Sequence, residues 1–124
     1  MATACREYQP LIFLVFSTLI FGVNPVLAEP VRLSGTKIQM TLNEREVTGT
    51  DNGQPSSQIF RANGATFYSV GANQTIGSWK VVDDTYCSVW PPSTNWVCYG
   101  VVRDGNVIQF VSPSGTVTAY TLKH

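Results

Sequence analysis

The sequence predicts a mainly β fold: a single antiparallel meander or small barrel of seven to eight strands with one disulfide-stapled hairpin. Three observations predict it. Turn-forming groups, Asp51-Asn52-Gly53, Asn63-Gly64, Asp83-Asp84, Pro91-Pro92, Asp104-Gly105 and Ser114-Gly115, punctuate the chain beyond Thr50 at the spacing of hairpin-connected strands. The runs between them are rich in Val, Ile, Thr and aromatic residues, which suit a pleated, half-buried surface. Cys87 and Cys98 lie almost symmetrically about Pro91-Pro92, as the two sides of one hairpin would.

Residues 1–28 have the layout of a secretory signal peptide: Arg6, an apolar run over 11–23, a Pro25 break and the small residues before a cut after Ala28. The apolar run is shorter than the roughly 20 residues of a spanning helix, which makes an uncleaved anchor the weaker alternative. Cys5 precedes that run and is expected to leave with the signal, so a lipid-modified terminal cysteine is not supported. Residues 29–124 then form a single β-rich domain with one modest core. Within it Cys87 and Cys98 are the only thiols, and an oxidising compartment pairs them as a disulfide.

Strands are expected over 57–61, 66–70, 75–82, 85–90, 96–103, 107–111 and 116–122. A two-residue Asp83-Asp84 loop sets Val81 opposite Tyr86 and Trp79 opposite Ser88. The next hairpin sets Cys87 opposite Cys98 and Tyr86 opposite Tyr99. An Asp104-Gly105 loop pairs Val101 with Ile108 and Tyr99 with Phe110. Alternation then gathers Trp79, Tyr86, Tyr99 and Phe110 as the structural core, joined by Val81, Trp90, Val97, Val101, Ile108, Val117 and Ala119. Lys80, Val89, Trp96, Gln109, Thr116, Thr118 and the disulfide fall on the other face. Val82, Val102, Val107 and Val111 join them there and imply partial cover by another segment or an adhesive surface. Residues 33–47 read two ways: the alternation of 37–42 suits a strand, while Ser34 could cap a helix that puts Ile38 and Leu42 on one side.

Chemistry-bearing groups are sparse. His124 is the only histidine, so a catalytic triad or a multi-histidine metal site lacks members. Disulfide-bonded Cys87 and Cys98 supply neither nucleophile nor zinc ligand. Asp83 and Asp84 are read as turn formers, since neighbours in a strand point apart and a hairpin tip gives no burial to shift a carboxyl. No glycine-rich phosphate loop precedes a helix. Asn73-Gln74-Thr75 fits a glycosylation acceptor that matters only in a eukaryotic secretory route. Acidic and basic residues cancel to a formal net charge of zero and are scattered, without the basic footprint of a nucleic-acid or anionic-membrane binder.

Residues 29–124 resemble a family of small exported bacterial proteins of uncharacterised function. The resemblance is carried by Leu33 and Gly35, Ile38 and Leu42, Phe60 with Asn63-Gly64, Gly77 and Trp79, Cys87, Cys98, and Asp104-Gly105. It implies a short N-terminal helix ahead of the β-meander and no catalytic residues. The spacing of Trp79 and Cys87 also resembles small β-barrel inhibitors of bacterial metalloproteinases. Those pair this cysteine with an earlier one, however, and their inhibitory N-terminal arm has no counterpart in residues 29–34. Gly77-x-Trp79 is similar to the Gly-x-Trp of lipocalin-like barrels, where it stands near the start of the domain.

The resulting expectation is a periplasmic or secreted monomer, not an enzyme, without cofactor or metal: a non-catalytic binding module of the bacterial envelope. Its partner is expected to be a protein or envelope component, not nucleic acid, and no membrane span remains after signal cleavage. The candidate partner-binding residues are Trp90, Pro91, Pro92 and Trp96, crowded at one hairpin tip, because exposed aromatic residues anchor interfaces. Two alternatives stand beside it: a secreted inhibitor of a protease or lysozyme, and a small-ligand carrier. The carrier needs a cavity, which bulky inward Trp79, Tyr86, Tyr99 and Phe110 are expected to fill.

Overall fold

A computed structural model describes Gly22 and residues 29–124; apart from Gly22, the expected signal peptide, with Cys5, lies outside the described residues. The chain forms β1 Val31–Arg32, α1 Gly35–Leu42, β2 Arg45–Asp51, β3 Gln54–Phe60, β4 Ala65–Val70, β5 Asn73–Val82, β6 Thr85–Val89, β7 Val97–Asp104, β8 Val107–Val111 and β9 Val117–Leu122. Strands β2 to β9 pair antiparallel in sequence order, and β9 returns to β2 through Val47 opposite Leu122 and Thr48 opposite Thr121. The result is an eight-stranded up-and-down barrel with a short helix and a disulfide-linked hairpin. Closure removes the free sheet edges that an open meander would expose.

The two readings of residues 33–47 resolve by burial. Helix α1 starts where the Ser34 side chain accepts from the Lys37 N–H at 3.3 Å. Ile38 and Leu42 point into the barrel and are fully buried, whereas Met40, which a strand would have placed beside them, is 68% exposed. Gly35 opens the helix and its N–H donates to Asp84 Oδ1 at 2.7 Å. An added Cβ at Gly35 would collide with the Asp83 carbonyl oxygen. Glycine is therefore required by close approach to the β5–β6 turn. After Asn43 the chain turns through Glu44 at φ 57°, and the Glu44 carboxylate accepts from the Ala62 N–H and from Arg61. These contacts dock α1 across the end of the barrel formed by the turns near residues 61–64 and 83–84.

Strand β2 lies where the sequence pattern is weakest. Of its residues only Val47 is a buried hydrophobic, and the strand is held by pairing with β3 along its length and with β9. The β2–β3 hairpin turns on Asn52 and Gly53, both at positive φ (49° and 78°), the geometry whose twist matches the flanking strands.

The expected pairings of Val81 with Tyr86, Trp79 with Ser88, Cys87 with Cys98 and Tyr86 with Tyr99 are present. Two expectations are corrected. The β7–β8 loop is Gly105-Asn106, with Gly105 at φ 59° and Asp104 opposite Val107, so Val101 pairs with Phe110 and Arg103 with Ile108. A shift of two residues leaves every side chain on its expected face. In β9 the face itself is reversed. The 112–116 loop, closed by Ser112 N–H to the Thr116 carbonyl, sets Val117 opposite outward Val111 and Thr118 opposite inward Phe110. Leu122 is buried inside, whereas Val117 is 53% exposed and Ala119 also lies outside.

The helix-capped half of the barrel is filled. Phe60 is fully buried and meets Trp79 edge-on at 5.5 Å and Tyr86 at 5.6 Å. Val47, Val101, Ile108 and Leu122 surround it, with Leu33, Ile38 and Leu42 beneath. Trp79 Nε1–H donates to the Arg61 carbonyl at 2.9 Å, satisfying the one polar atom of that ring. On the outer face the disulfide is covered in part. Cys87 is fully buried beside Lys80, whose ammonium sits 4.0 Å from the Trp96 ring centre, and the Arg32 guanidinium lies over Gly100. Val82 and Val107 stay exposed.

Gly35→Ala is expected to lower stability by about 1–3 kcal/mol through overpacking against the Asp83 carbonyl. Thr36→Ala, at an exposed position of the same helix, should change it by less than about 0.5 kcal/mol. Urea unfolding midpoints measure both.

Candidate ligand-binding site

Because successive strands alternate in direction, the turns near 52–53, 71–72, 90–96 and 112–116 gather at the end away from α1. Here the barrel interior is not filled. A cavity of about 190 Å³ opens between Gln58, Tyr68, Tyr86, Ser88, Trp90, Tyr99, Phe110, Thr118 and Tyr120. This corrects the expectation that bulky side chains leave no space. Trp79 does pack into the floor, but Tyr86, Tyr99 and Phe110 form the cavity wall, and small Ser56, Ser88 and Thr118 stand in the same layer.

Two glycines place aromatic rings in this wall. A Cβ on Gly77 would lie 2.6 Å from Trp90 Cε3, and one on Gly49 would lie 2.9 Å from Tyr120 Cδ1. Each ring rests on bare backbone of a neighbouring strand, a packing that only glycine permits. Trp90 also stands edge-on to Tyr68 at 6.2 Å and points Nε1–H toward Ser88 Oγ at 3.3 Å. Tyr120 is edge-on to Phe110 at 5.8 Å.

The disulfide lies behind this wall. Cys87 sits between inward Tyr86 and Ser88, and Cys98 adjoins Tyr99, so the bond ties together the two strands that carry three of the lining residues. Closing a loop with a sequence separation of 11 is worth about 3 kcal/mol through the unfolded chain.

Hydrogen bonding grades from satisfied to open toward the mouth. Gln58 Nε2 donates to Thr66 Oγ1 at 3.0 Å and to the Tyr86 hydroxyl at 2.9 Å, and Thr66 donates on to the Ile59 carbonyl at 2.9 Å. The Tyr68 hydroxyl donates to Asp51 Oδ2 at 3.0 Å. Ser56 Oγ, on the same inner face as Gln58, is buried without a hydrogen-bond partner. Burial raises the Tyr86 phenol from 10.0 to about 12, against the opposing hydrogen bonds of Ser88 and Gln58. Burial also raises Tyr68, aided by the Asp51 carboxylate that accepts from it, and raises Tyr120, aided by Tyr68 and Asp51. The lining therefore consists of neutral phenols, an indole, a phenyl ring, a carboxamide and hydroxyls. Among the described residues no basic side chain lines the cavity. Such a set can stack on and hydrogen-bond a ligand. Among the described residues no three His, Cys, Asp or Glu side chains come together as metal ligands.

The four candidate residues at the 90–96 tip are divided. Trp90 turns into the cavity, Pro91 and Pro92 stand exposed at the rim, and Trp96 lies on the outer face over Lys80, 41% exposed. Sequence reasoning missed Gln58, Tyr68, Ser88, Thr118 and Tyr120 as site residues, and Asp51 beside them. Their signal is alternation: Gln58 with Phe60, Tyr68 with Thr66, and Tyr120 with Leu122 each share a face with a buried neighbour.

Between pH 10 and about 12 the unfolded chain releases the Tyr86 proton while the folded barrel keeps it. Stability is thus full below pH 10 and lost as pH rises through about 12, by about 2–3 kcal/mol. The urea midpoint should fall across that window, and Tyr86→Phe should flatten part of the fall. Gly77→Ala is expected to displace the Trp90 ring, shifting its indole fluorescence while the fold, read by far-ultraviolet dichroism, persists. No family model, curated protein or solved structure matches the chain.

Proposed function

We propose that residues 29–124 act as an exported, non-catalytic binding module of the bacterial envelope, a periplasmic or secreted monomer whose ligand is a small molecule held in the barrel mouth. The observation that carries this reading is the aromatic and hydroxyl-lined cavity above a floor sealed by Phe60 and α1. Its size decides the ligand's scale. An apolar cavity of roughly 150 Å³ holds a benzene-sized molecule, and drug-sized ligands need roughly 300 Å³ or more. A cavity of about 190 Å³ suits a compact ligand rather than a lipid chain or a tetrapyrrole.

A protein partner, including a protease or lysozyme to be inhibited, is the second reading. It is favoured by the exposed Pro91, Pro92 and Trp96 on the 90–96 loop. Trp90 then contributes nothing to that surface, because its ring faces inward. The two readings predict opposite roles for the tryptophans. In native mass spectrometry of protein isolated from its own envelope fraction, Trp90→Ala should weaken retention of a small molecule by about tenfold or more, with Trp96→Ala neutral. Capture of a protein that depends on Trp96 and not on Trp90 would favour the second reading.

A further inference from the structure

We propose that the mouth cavity binds a methylated ammonium cation with a short neutral polar tail, the choline class. This rests on the reading of the mouth as a small-molecule site and adds the ligand's charge and shape. Four rings that can face a ligand, Tyr68, Trp90, Tyr99 and Tyr120, line the cavity. Trp90 and Tyr120 each pack against a glycine of the neighbouring strand. Aromatic walls of this kind attract a cation through the negative face of each ring, most strongly when the cation is shed of water.

One formal charge adjoins the lining, and it is negative. Asp51 accepts from the Tyr68 hydroxyl at 3.0 Å. Among the described residues the ion pairs are Arg61 with Glu44 and Lys123 with Glu46, both at the helix-capped end, and none engages Asp51. Two cations lie across the wall, both outside the barrel: Lys80, held by Trp96, and Arg32, over Gly100. Among the described residues the Asp51 carboxylate thus has no counter-charge inside the mouth. Burial is the main cause of the raised phenols of Tyr68 and Tyr120, and the Asp51 carboxylate adds to both.

A methylated ammonium suits this site better than a primary one. It carries positive charge on an apolar surface and has no N–H groups that would lose water without gaining acceptors. Beside the rings, Gln58, Ser88 and Thr118 offer neutral hydrogen-bonding groups. A hydroxyl tail matches them.

The test titrates the intact protein with choline and with its neutral carbon isostere, in which a tert-butyl group replaces trimethylammonium, following the Trp90 and Trp96 indole N–H resonances. Choline is expected to shift Trp90 and not Trp96 and to bind about tenfold more tightly than the isostere. Asp51→Asn should weaken choline several-fold and leave the isostere unchanged. Equal or tighter binding of the isostere to the unaltered protein overturns the cation assignment while the small-molecule reading stands. If neither probe moves Trp90 and native mass spectrometry retains no small molecule, both fall.

Discussion

Closing eight antiparallel strands into a barrel leaves an interior about one layer of side chains across, so the contents depend on how each end is stopped. Helix α1 stops one end, and among the described residues no element of comparable bulk stops the other. The helix can dock only because Gly35 lets the backbone rest on the Asp83 carbonyl and donate to Asp84. That seat aims Ile38 and Leu42 into the barrel beneath Phe60, and the dry aromatic layer of Phe60, Trp79, Tyr86 and Phe110 builds on them. The cavity begins where this layer ends.

Above that layer the wall is shaped by what is missing from particular side chains. Gly49 and Gly77 remove the Cβ atoms that would push Tyr120 and Trp90 into the barrel axis. Both rings consequently stand as wall rather than as filling. The Cys87–Cys98 bond fixes β6 to β7, holding Tyr86, Ser88 and Tyr99 in one register. The disulfide is thus a support for the mouth as well as for the hairpin tip.

Much of this was legible in the chain. The β5–β6–β7 register followed from Asp83-Asp84 and the cysteine pair because turn chemistry and cross-strand side-chain types agree there. The same alternation places Trp90 inside and Trp96 outside, as found. Strand β2 was hidden because the pattern of Arg45–Asp51 contains one buried hydrophobic; its pairing energy comes from neighbours far along the chain. The face of β9 was misread because Val117 and Ala119 on one side compete with Tyr120 and Leu122 on the other, and only the 112–116 loop geometry decides. The cavity was illegible for a different reason: a void depends on which small residues from distant strands share one layer, and pairings such as Gly49 with Ser56 set that layer.

Gln58 marks the boundary between the two halves. Its carboxamide donates both available N–H groups, to Thr66 and Tyr86, and so seals the apolar floor with a satisfied polar layer. A satisfied layer of this kind raises the cost of water moving deeper, since the groups that would welcome it are already occupied. On the mouth side Ser56 lacks a partner, Tyr68 leans on Asp51, and the phenols stay protonated. The depth a ligand can reach is therefore set by hydrogen bonding as much as by volume: polar atoms find open partners above Gln58 and none below it. A ligand that stacks on the rings and ends in one neutral polar group matches both constraints, whereas a longer apolar chain would have to displace the Gln58 bridge to enter the floor.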